Sequence, residues 1–320
     1  MSPKNKPLTL SIFFEFVELR TKVASVFPMM IGTLWSIYHY QQFNLINTLL
    51  FVLAVLSFDM CTTAINNTMD YKKAIDTAYQ HEDNVIGKHH LDDKQMVRII
   101  FWLLLFASLF SLVLVYRTDI LLLPIGGLCF LIGIFYTFGP LPLSRLPLGE
   151  PFSGITMGFG IFFLAVFMQN PDRLLSSHWI GAVMRIDWYW LETIMIFWLS
   201  LPFVCLIANI MLANNLCDLE QDLKNERRTV VYYIGKENGI RLYTLLSFIP
   251  WAVWCSGIVL GQIPLLGAAG VVIMPLYIKH LKAFQREQIK RQTFVLSIKN
   301  FVLFSMMYLL TILIALIFHI

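Results

Sequence analysis

The sequence predicts an all-α, polytopic membrane protein: nine transmembrane helices around a central cavity. Two facts of composition and one pattern carry that prediction. Of 320 residues, 58% are hydrophobic and only 14% charged, where a soluble domain carries about 25% charged residues. Mean hydropathy is +0.68. Apolar runs of the ~20 residues that a bilayer crossing needs recur along the whole chain. No connection between them is long enough for a soluble domain, so residues 1–320 read as one transmembrane unit.

The nine runs cover 14–40, 44–69, 97–116, 120–138, 151–169, 189–215, 240–260, 264–281 and 296–319. Pro28 interrupts the first and predicts a kink there. The N-terminus carries Lys4 and Lys6 but no small-residue cleavage site, so the first run reads as a retained helix. The longest connections are Tyr71–Met96, Asn170–Trp188, Leu216–Gly239 and Lys282–Val295. Cys61, Cys129, Cys205, Cys217 and Cys255 form no CxxC pair and read as apolar fillers.

Orientation follows from the basic residues. With the N-terminus in the cytoplasm, the inner side holds Lys4, Lys6, Lys72, Lys73, Lys88, Lys94, Arg98 and Arg145. It also holds Lys224, Arg227, Arg228, Lys236, Arg241 and six more between Lys279 and Lys299. The outer side holds only Arg117, Arg173 and Arg185. The positive-inside rule then places the protein in the cell membrane with a cytoplasmic N-terminus.

Two polar stretches close long apolar runs on that side: Asn66 to Asp76 ("NNTMDYKKAID") and Asn214 to Asp222 ("NNLCDLEQD"). Asn66 and Asp70 are four apart, as are Asn214, Asp218 and Asp222, so each set shares a helix face. Five helices run from the second to the sixth, so four crossings separate the stretches; both open on one membrane face and are able to meet. A lone membrane-edge Asp is commonly a solvated helix end, but two such clusters on one face point to function. Mg²⁺ prefers octahedral oxygen ligands from one or two carboxylates plus substrate phosphates. Asp70 and Asp76 would hold one ion, Asp218 and Asp222 another, with a diphosphate between them. Asn66 and Asn214 would supply neutral oxygens.

Most basic residues beside the clusters satisfy the positive-inside rule. Lys73 and Arg228 are the first candidates for diphosphate contacts, with Lys72 beside them. Arg20 and Lys22 break the first run; they either snorkel to the interface or face the diphosphate. Asp59 lies deep in the second run, on one stripe with Thr63, Asn66 and Asp70. It reads either as a buried acid bonded to Thr62, Thr63 or another helix, or as an acceptor for a substrate hydroxyl. Tyr136 opens a Gly/Pro-rich loop ending at Glu150. It is either a belt tyrosine or a stacking platform for a cation or ring. His81, Glu82, Asp83, His89, His90, Asp92 and Asp93 have no zinc spacing and read as a solvated, partly helical lid. The stretch from Lys279 to Gln292 reads as amphipathic, basic and interfacial.

With these residues in view, the chain resembles the UbiA-type intramembrane prenyltransferases. Within them it is most similar to the 1,4-dihydroxy-2-naphthoate polyprenyltransferases of menaquinone synthesis. Four stretches carry the resemblance. The first is Asn66, Asp70-Tyr71-Lys72 and Ile75-Asp76-Thr77. The second is Tyr136-Thr137, Gly139-Pro140 and Leu148-Gly149-Glu150. The third is Asn214-Asn215, Asp218, Glu220, Asp222, Arg228-Thr229 and Gly235. The fourth is Thr21, Ala24-Ser25, Pro28 and Gly32-Thr33. The chain departs from the group at Cys217, at Glu18-Leu19 and at Asn225-Glu226-Arg227.

The resemblance implies catalysis by Asn66, Asp70, Asp76, Asn214, Asp218 and Asp222. It implies Mg²⁺ as cofactor, a polyprenyl diphosphate donor and an aromatic acceptor contacting Asp59, Thr63 and Tyr136. No nucleic acid and no obligate protein partner is expected. The alternatives are the same chemistry on 4-hydroxybenzoate, homogentisate or a glycerol-phosphate lipid, or a transporter with an acidic ion path. CDP-alcohol phosphotransfer lacks its Asp-Gly opening here.

Overall fold

The computed structural model describes residues 9–77, 79–139 and 142–319. Lys4, Lys6 and Pro140 lie outside the described residues. In chain order the helices are α1 (Leu10–Phe16), α2 (Val23–Tyr40), α3 (Leu45–Lys73), α4 (Val85–His89), α5 (Asp93–Arg117) and α6 (Leu122–Phe135). Then come α7 (Gly149–Ser153) and α8 (Ile161–Phe167), joined by a π-helical turn, and a hairpin of β1 (Leu175–Ile180) and β2 (Val183–Trp188). The chain ends in α9 (Trp190–Cys217), α10 (Leu219–Lys224), α11 (Val230–Val259), α12 (Met274–Arg286) and α13 (Phe294–Phe318).

Each of the nine predicted runs contains helix. Among the described residues, seven are long and apolar enough to cross a membrane by length and composition: α3, α5, α7 with α8, α9, α11, α13, and Leu265–Arg286, which includes α12. The other two are α2, whose last turn carries Tyr38, His39 and Tyr40, and α6, of 14 residues.

The first run is not one helix kinked at Pro28. The chain breaks earlier: Glu18 takes a left-handed backbone (φ 48°) and a 3₁₀ turn follows over Leu19–Lys22. α2 then runs through Pro28. The break turns Lys22 inward, where its ammonium meets Asp59 at 2.6 Å.

α3 packs along α5, α9 along α11 and along the α7–α8 run, and α2 against α8 and α13. The α7–α8 run approaches α9 closely because it is glycine-rich there: a Cβ on Gly158 would lie 2.5 Å from the Val204 amide nitrogen. Asn209 ties α9 to α11, donating to the Tyr243 carbonyl (3.0 Å) and to Ser247 Oγ (2.9 Å). An apolar core of Trp35, Phe162, Phe203, Phe304 and Tyr308 fills the space between these helices.

Three connections are more ordered than loops. Residues 79–92 fold over α1, burying Val85, Ile86 and Leu91 against Phe16 and Val17, while Glu15 takes Lys88 at 2.7 Å. The stretch after α8 forms the β-hairpin, with a two-residue connection whose first residue, Gly181, has φ 60° as tight primed turns require. α12 is amphipathic as expected, burying Tyr277, Leu281 and Phe284 at helical spacing.

Candidate active site

Both Asn/Asp stretches open into one cavity of about 1560 Å³. Asn66, Asp70 and Asp76 line it from one side and Asn214, Asp218 and Asp222 from the other. The polar residues gather at one end, called the mouth below. From Asp70 down to Phe51, α3 descends about 28 Å at 1.5 Å per residue, close to the ~30 Å of a bilayer's hydrocarbon core. Phe51, Phe58, Leu114, Leu122, Phe130, Leu164 and Met168 line the deep part.

The mouth is built by helix ends. α3 carries Asn66 and Asp70 on its last turns, where Thr137 donates to Asn66 Oδ1 at 2.9 Å. Beyond Lys73 the chain turns extended at Ala74, and Asn225 Oδ1 receives the Ile75 amide at 3.2 Å, holding Asp76 at the rim. On the other side α9 ends at Cys217, Asp218 caps it, and Asp222 lies on α10. The helix breaks at Asp218, yet the Asp222 amide still bonds the Asp218 carbonyl (2.8 Å), so the four-residue spacing persists.

Protein cations face these acids. Arg145 lies 3.9 Å from Asp70 and Arg227 lies 3.5 Å from Asp222. The Lys290 ammonium bonds both Asn214 Oδ1 and Asp218 Oδ2. Burial pushes the Asp222 carboxyl up to about 6; Arg227 opposes this, while Asp218 and Asp70 add to it. Asp70 and Asp222 line the same cavity, so the two stretches meet there.

The arrangement corrects four expectations. Lys72 is exposed and pairs with Asp93 at 3.6 Å, because two helical steps of 100° carry it away from the Asp70 face. Lys73 ends α3 exposed, and Arg20 is exposed on the 3₁₀ turn. Arg228 is exposed and stacks over Tyr232, 5.6 Å from its ring centre. The backbone after Glu226, itself left-handed (φ 56°), bonds the Arg228 amide to the Arg145 carbonyl and turns Arg227 inward instead. None of the four lines the cavity; Arg145, Arg227 and Lys290 do. Arg145 had a readable signal, being the one cation in the Gly/Pro-rich loop from Tyr136 to Glu150. Lys290 had none among its many basic neighbours.

Lys22 is also not where a diphosphate contact would need it. It lines the cavity beside Asp59, eleven positions and about 16 Å below Asp70 along α3. Its ammonium meets Asp59 Oδ1 (2.6 Å), the Asp59 carbonyl (3.2 Å) and Thr63 Oγ1 (2.6 Å), while Ser25 donates to Asp59 Oδ2 at 2.6 Å. Asp59 is thus largely buried and paired with another helix, through Lys22 and Ser25, as one of its two sequence readings expected, and it still lies on the cavity wall. Tyr136 lines the cavity too, its hydroxyl donating to the Gly149 carbonyl at 3.3 Å.

The donors at the mouth suit a hard cation. Asp222 Oδ2 is buried and has no hydrogen-bond partner among the described residues. A cation already rests on Asn214 and Asp218. Among the described residues no three His, Cys, Asp or Glu are grouped tightly enough to hold a metal alone. This fits an ion completed by phosphate oxygens and water rather than an all-protein cage.

Residues 25–317 match the UbiA prenyltransferase family. The 1,4-dihydroxy-2-naphthoate octaprenyltransferase of Bacillus subtilis (strain 168) is 28% identical over 250 residues, covering 78% of this chain and 74% of its own. The structure of a UbiA homolog from Aeropyrum pernix K1 matches with a TM-score of 0.69 at 15% identity, over 91% of this chain and 98% of that one. A UbiA homolog from Archaeoglobus fulgidus, bound to GPP and Mg²⁺, matches with a TM-score of 0.62 at 12% identity, over 94% and 98%.

Proposed function

The chain belongs to the UbiA prenyltransferase family, and we propose that it transfers a polyprenyl group from polyprenyl diphosphate to 1,4-dihydroxy-2-naphthoate. The product would be the quinol, demethylmenaquinol, with loss of CO₂ and diphosphate, and its later oxidation would give demethylmenaquinone. The similarity to the Bacillus subtilis naphthoate enzyme supports the acceptor, and the Archaeoglobus fulgidus complex supports a Mg²⁺-dependent, diphosphate-bearing donor. The observation that carries the reading is the convergence of residues 66–76 and 214–222 on one cavity mouth. The basic loops favour a cytoplasmic mouth in the cell membrane. In this reading residues 1–320 act as a single unit.

Asp70, Asp76, Asp218 and Asp222 would hold Mg²⁺, with Asn66 and Asn214 as neutral donors. Bound there, the metal neutralises diphosphate charge and favours breaking of the allylic C–O bond. Arg145 and Arg227 stabilise the departing diphosphate where negative charge develops. The deep apolar wall takes the prenyl tail, and its dryness protects the allylic cation from water. The acceptor ring lies between mouth and tail, within reach of Tyr136 and of the Asp59–Thr63 wall.

The test uses purified protein with farnesyl or geranylgeranyl diphosphate, a panel of aromatic acceptors, and Mg²⁺ or EDTA. The expected result is Mg²⁺-dependent diphosphate release with prenylated naphthoquinol as product. Asp70→Ala and Asp218→Ala should each abolish turnover while eluting as folded protein in detergent. No diphosphate release with any acceptor would refute the assignment.

A further inference from the structure

The ammonium of Lys290 rests on Asn214 and Asp218, the first two members of the second acidic stretch. We propose that Lys290 is a resident substitute for the divalent cation, displaced when metal binds and then turned onto the diphosphate. The inference rests on the metal–diphosphate reading of the mouth.

The position is built, not accidental. Lys290 lies on the turn between α12 and α13. There the Ile289 carbonyl accepts from the amides of Gln292 (3.1 Å) and Thr293 (2.8 Å), and Thr293 Oγ1 accepts from the Ile289 amide (2.8 Å). This closed turn aims Lys290 at the mouth. Its ammonium also lies 4.9 Å from the centre of the Phe294 ring, a cation–π distance.

Three of the cations that line the cavity are held differently. Arg145 lies 3.9 Å from Asp70. Arg227 lies 3.5 Å from Asp222 and is also within 3.5 Å of the Ser144 carbonyl. Lys290 sits directly on an Asn/Asp oxygen pair of the kind a hard cation would take. A lysine is a compact charge on a flexible stem, suited to changing partners, whereas a guanidinium is a planar fork suited to keeping them.

The need for such a cation follows from the site's charge. Asp70, Asp218 and Asp222 crowd a half-buried mouth, where like charges raise one another's cost. An ammonium on Asp218 relieves part of that cost before substrate arrives. A divalent ion needs the same oxygens, so the two compete. Once displaced, Lys290 is a half-exposed free cation at the rim, and the triply charged leaving group is its natural partner. Metal loading and diphosphate capture are thereby coupled through one side chain.

The experiment titrates Mn²⁺ into wild-type, Lys290→Gln and Lys282→Gln proteins, following free Mn²⁺ by electron paramagnetic resonance, with and without inorganic pyrophosphate. Lys282 is an exposed cation on the same basic segment and does not line the cavity. Without pyrophosphate, Lys290→Gln should bind Mn²⁺ about tenfold tighter than wild type, the worth of one charged hydrogen bond removed from competition. Lys282→Gln should stay within about twofold. With Mn²⁺ saturating, pyrophosphate should bind Lys290→Gln about tenfold more weakly. Lys290→Arg, which can grip Asp218 with two N–H groups, should bind Mn²⁺ more weakly than wild type.

Equal Mn²⁺ affinity in wild type and Lys290→Gln overturns the proposal, as does equal tightening in Lys282→Gln. Should Lys290→Gln fail to fold, unchanged Mn²⁺ affinity in Lys290→Arg overturns it. Absence of Mn²⁺ binding to wild type even with pyrophosphate would instead overturn the metal–diphosphate reading itself.

Discussion

The Lys22–Asp59 pair gives the sharpest test of how this structure handles charge at membrane depth. Lys22 is 4% exposed, and its ammonium has three acceptors, all from α3. Replacing Lys22 with Met keeps the stem's volume and removes the charge. Asp59 would then be a largely buried carboxylate with Ser25 as its remaining side-chain partner. Removing one partner of a buried ion pair costs about 3–5 kcal/mol. Detergent-solubilised Lys22→Met should therefore melt about 5–10 °C below wild type. The double variant Lys22→Met/Asp59→Leu replaces the whole pair by apolar groups, a change that is typically neutral or stabilising. It should recover most of the loss. Thermal unfolding of the four proteins in one detergent gives the cycle directly. A Lys22→Met variant as stable as wild type, or a double variant worse than both singles, would refute the claim that the pair's stability value lies in mutual neutralisation. The same proteins separate structure from function. If the double variant is stable but has a raised KM for the acceptor, the pair serves the substrate rather than the fold.

Two further outcomes follow from the mouth. Arg145→Ala and Arg227→Ala should each raise KM for the prenyl diphosphate by about tenfold or more, as loss of a charged hydrogen bond implies. Arg228→Ala and Lys73→Ala, whose exposed side chains do not line the cavity, should stay within about twofold; steady-state kinetics with one acceptor held saturating distinguishes the sets. The pH profile follows from Asp222, which titrates at about 6 because burial disfavours its charge. As pH falls through 6 it takes up a proton and ceases to be a metal ligand, so metal-dependent turnover should drop about tenfold per unit below that point. The stability effect has the opposite sign. The folded carboxyl binds its proton more tightly than the unfolded one, so the metal-free protein gains stability from this group as pH falls from above 6. A turnover profile flat from pH 7 to 5 would remove Asp222 from the metal site.

Apolar run length was enough to place the helices, because a bilayer leaves the backbone few other choices. The Asn/Asp spacing was enough to find the mouth, because the helical period fixes which side chains share a face. What could not be read was how cations reach those acids. Arg227 and Arg228 are neighbours in sequence, and only the left-handed backbone at Glu226 decides that Arg227 turns inward. Lys290 reaches Asp218 from 72 positions away, a contact that no local pattern encodes. Lys22 shows the same limit. Its charge looked like a membrane-edge feature until the 3₁₀ turn after Glu18 carried it down to Asp59. The β-hairpin was hidden for a different reason: it is short, and Trp179, Ile180 and Val183 on it are exposed rather than buried in an alternating pattern.

The far end of the cavity separates catalysis from transport. An ion path needs polar groups in succession across the membrane. Here the charged residues at depth are Lys22 and Asp59, and each satisfies the other. Below them α3 presents Phe58, Val55, Ala54 and Phe51 to the cavity. The next polar group on that helix facing inward is Asn47, which is already committed. It receives Arg117 Nε at 2.8 Å and donates to the Met168 carbonyl at 3.0 Å. Asn170 beside it donates to Ser36 at 3.0 Å. Below the mouth, among the described residues, the cavity wall carries no charged group besides this pair and is mostly apolar, so a charged solute moving down gives up its partners for hydrocarbon. A molecule with a charged head and a long apolar tail meets the opposite situation. Its head stays among the acids and cations of the mouth while its tail fills the depth, and that division fixes the reactive bond at the boundary between them.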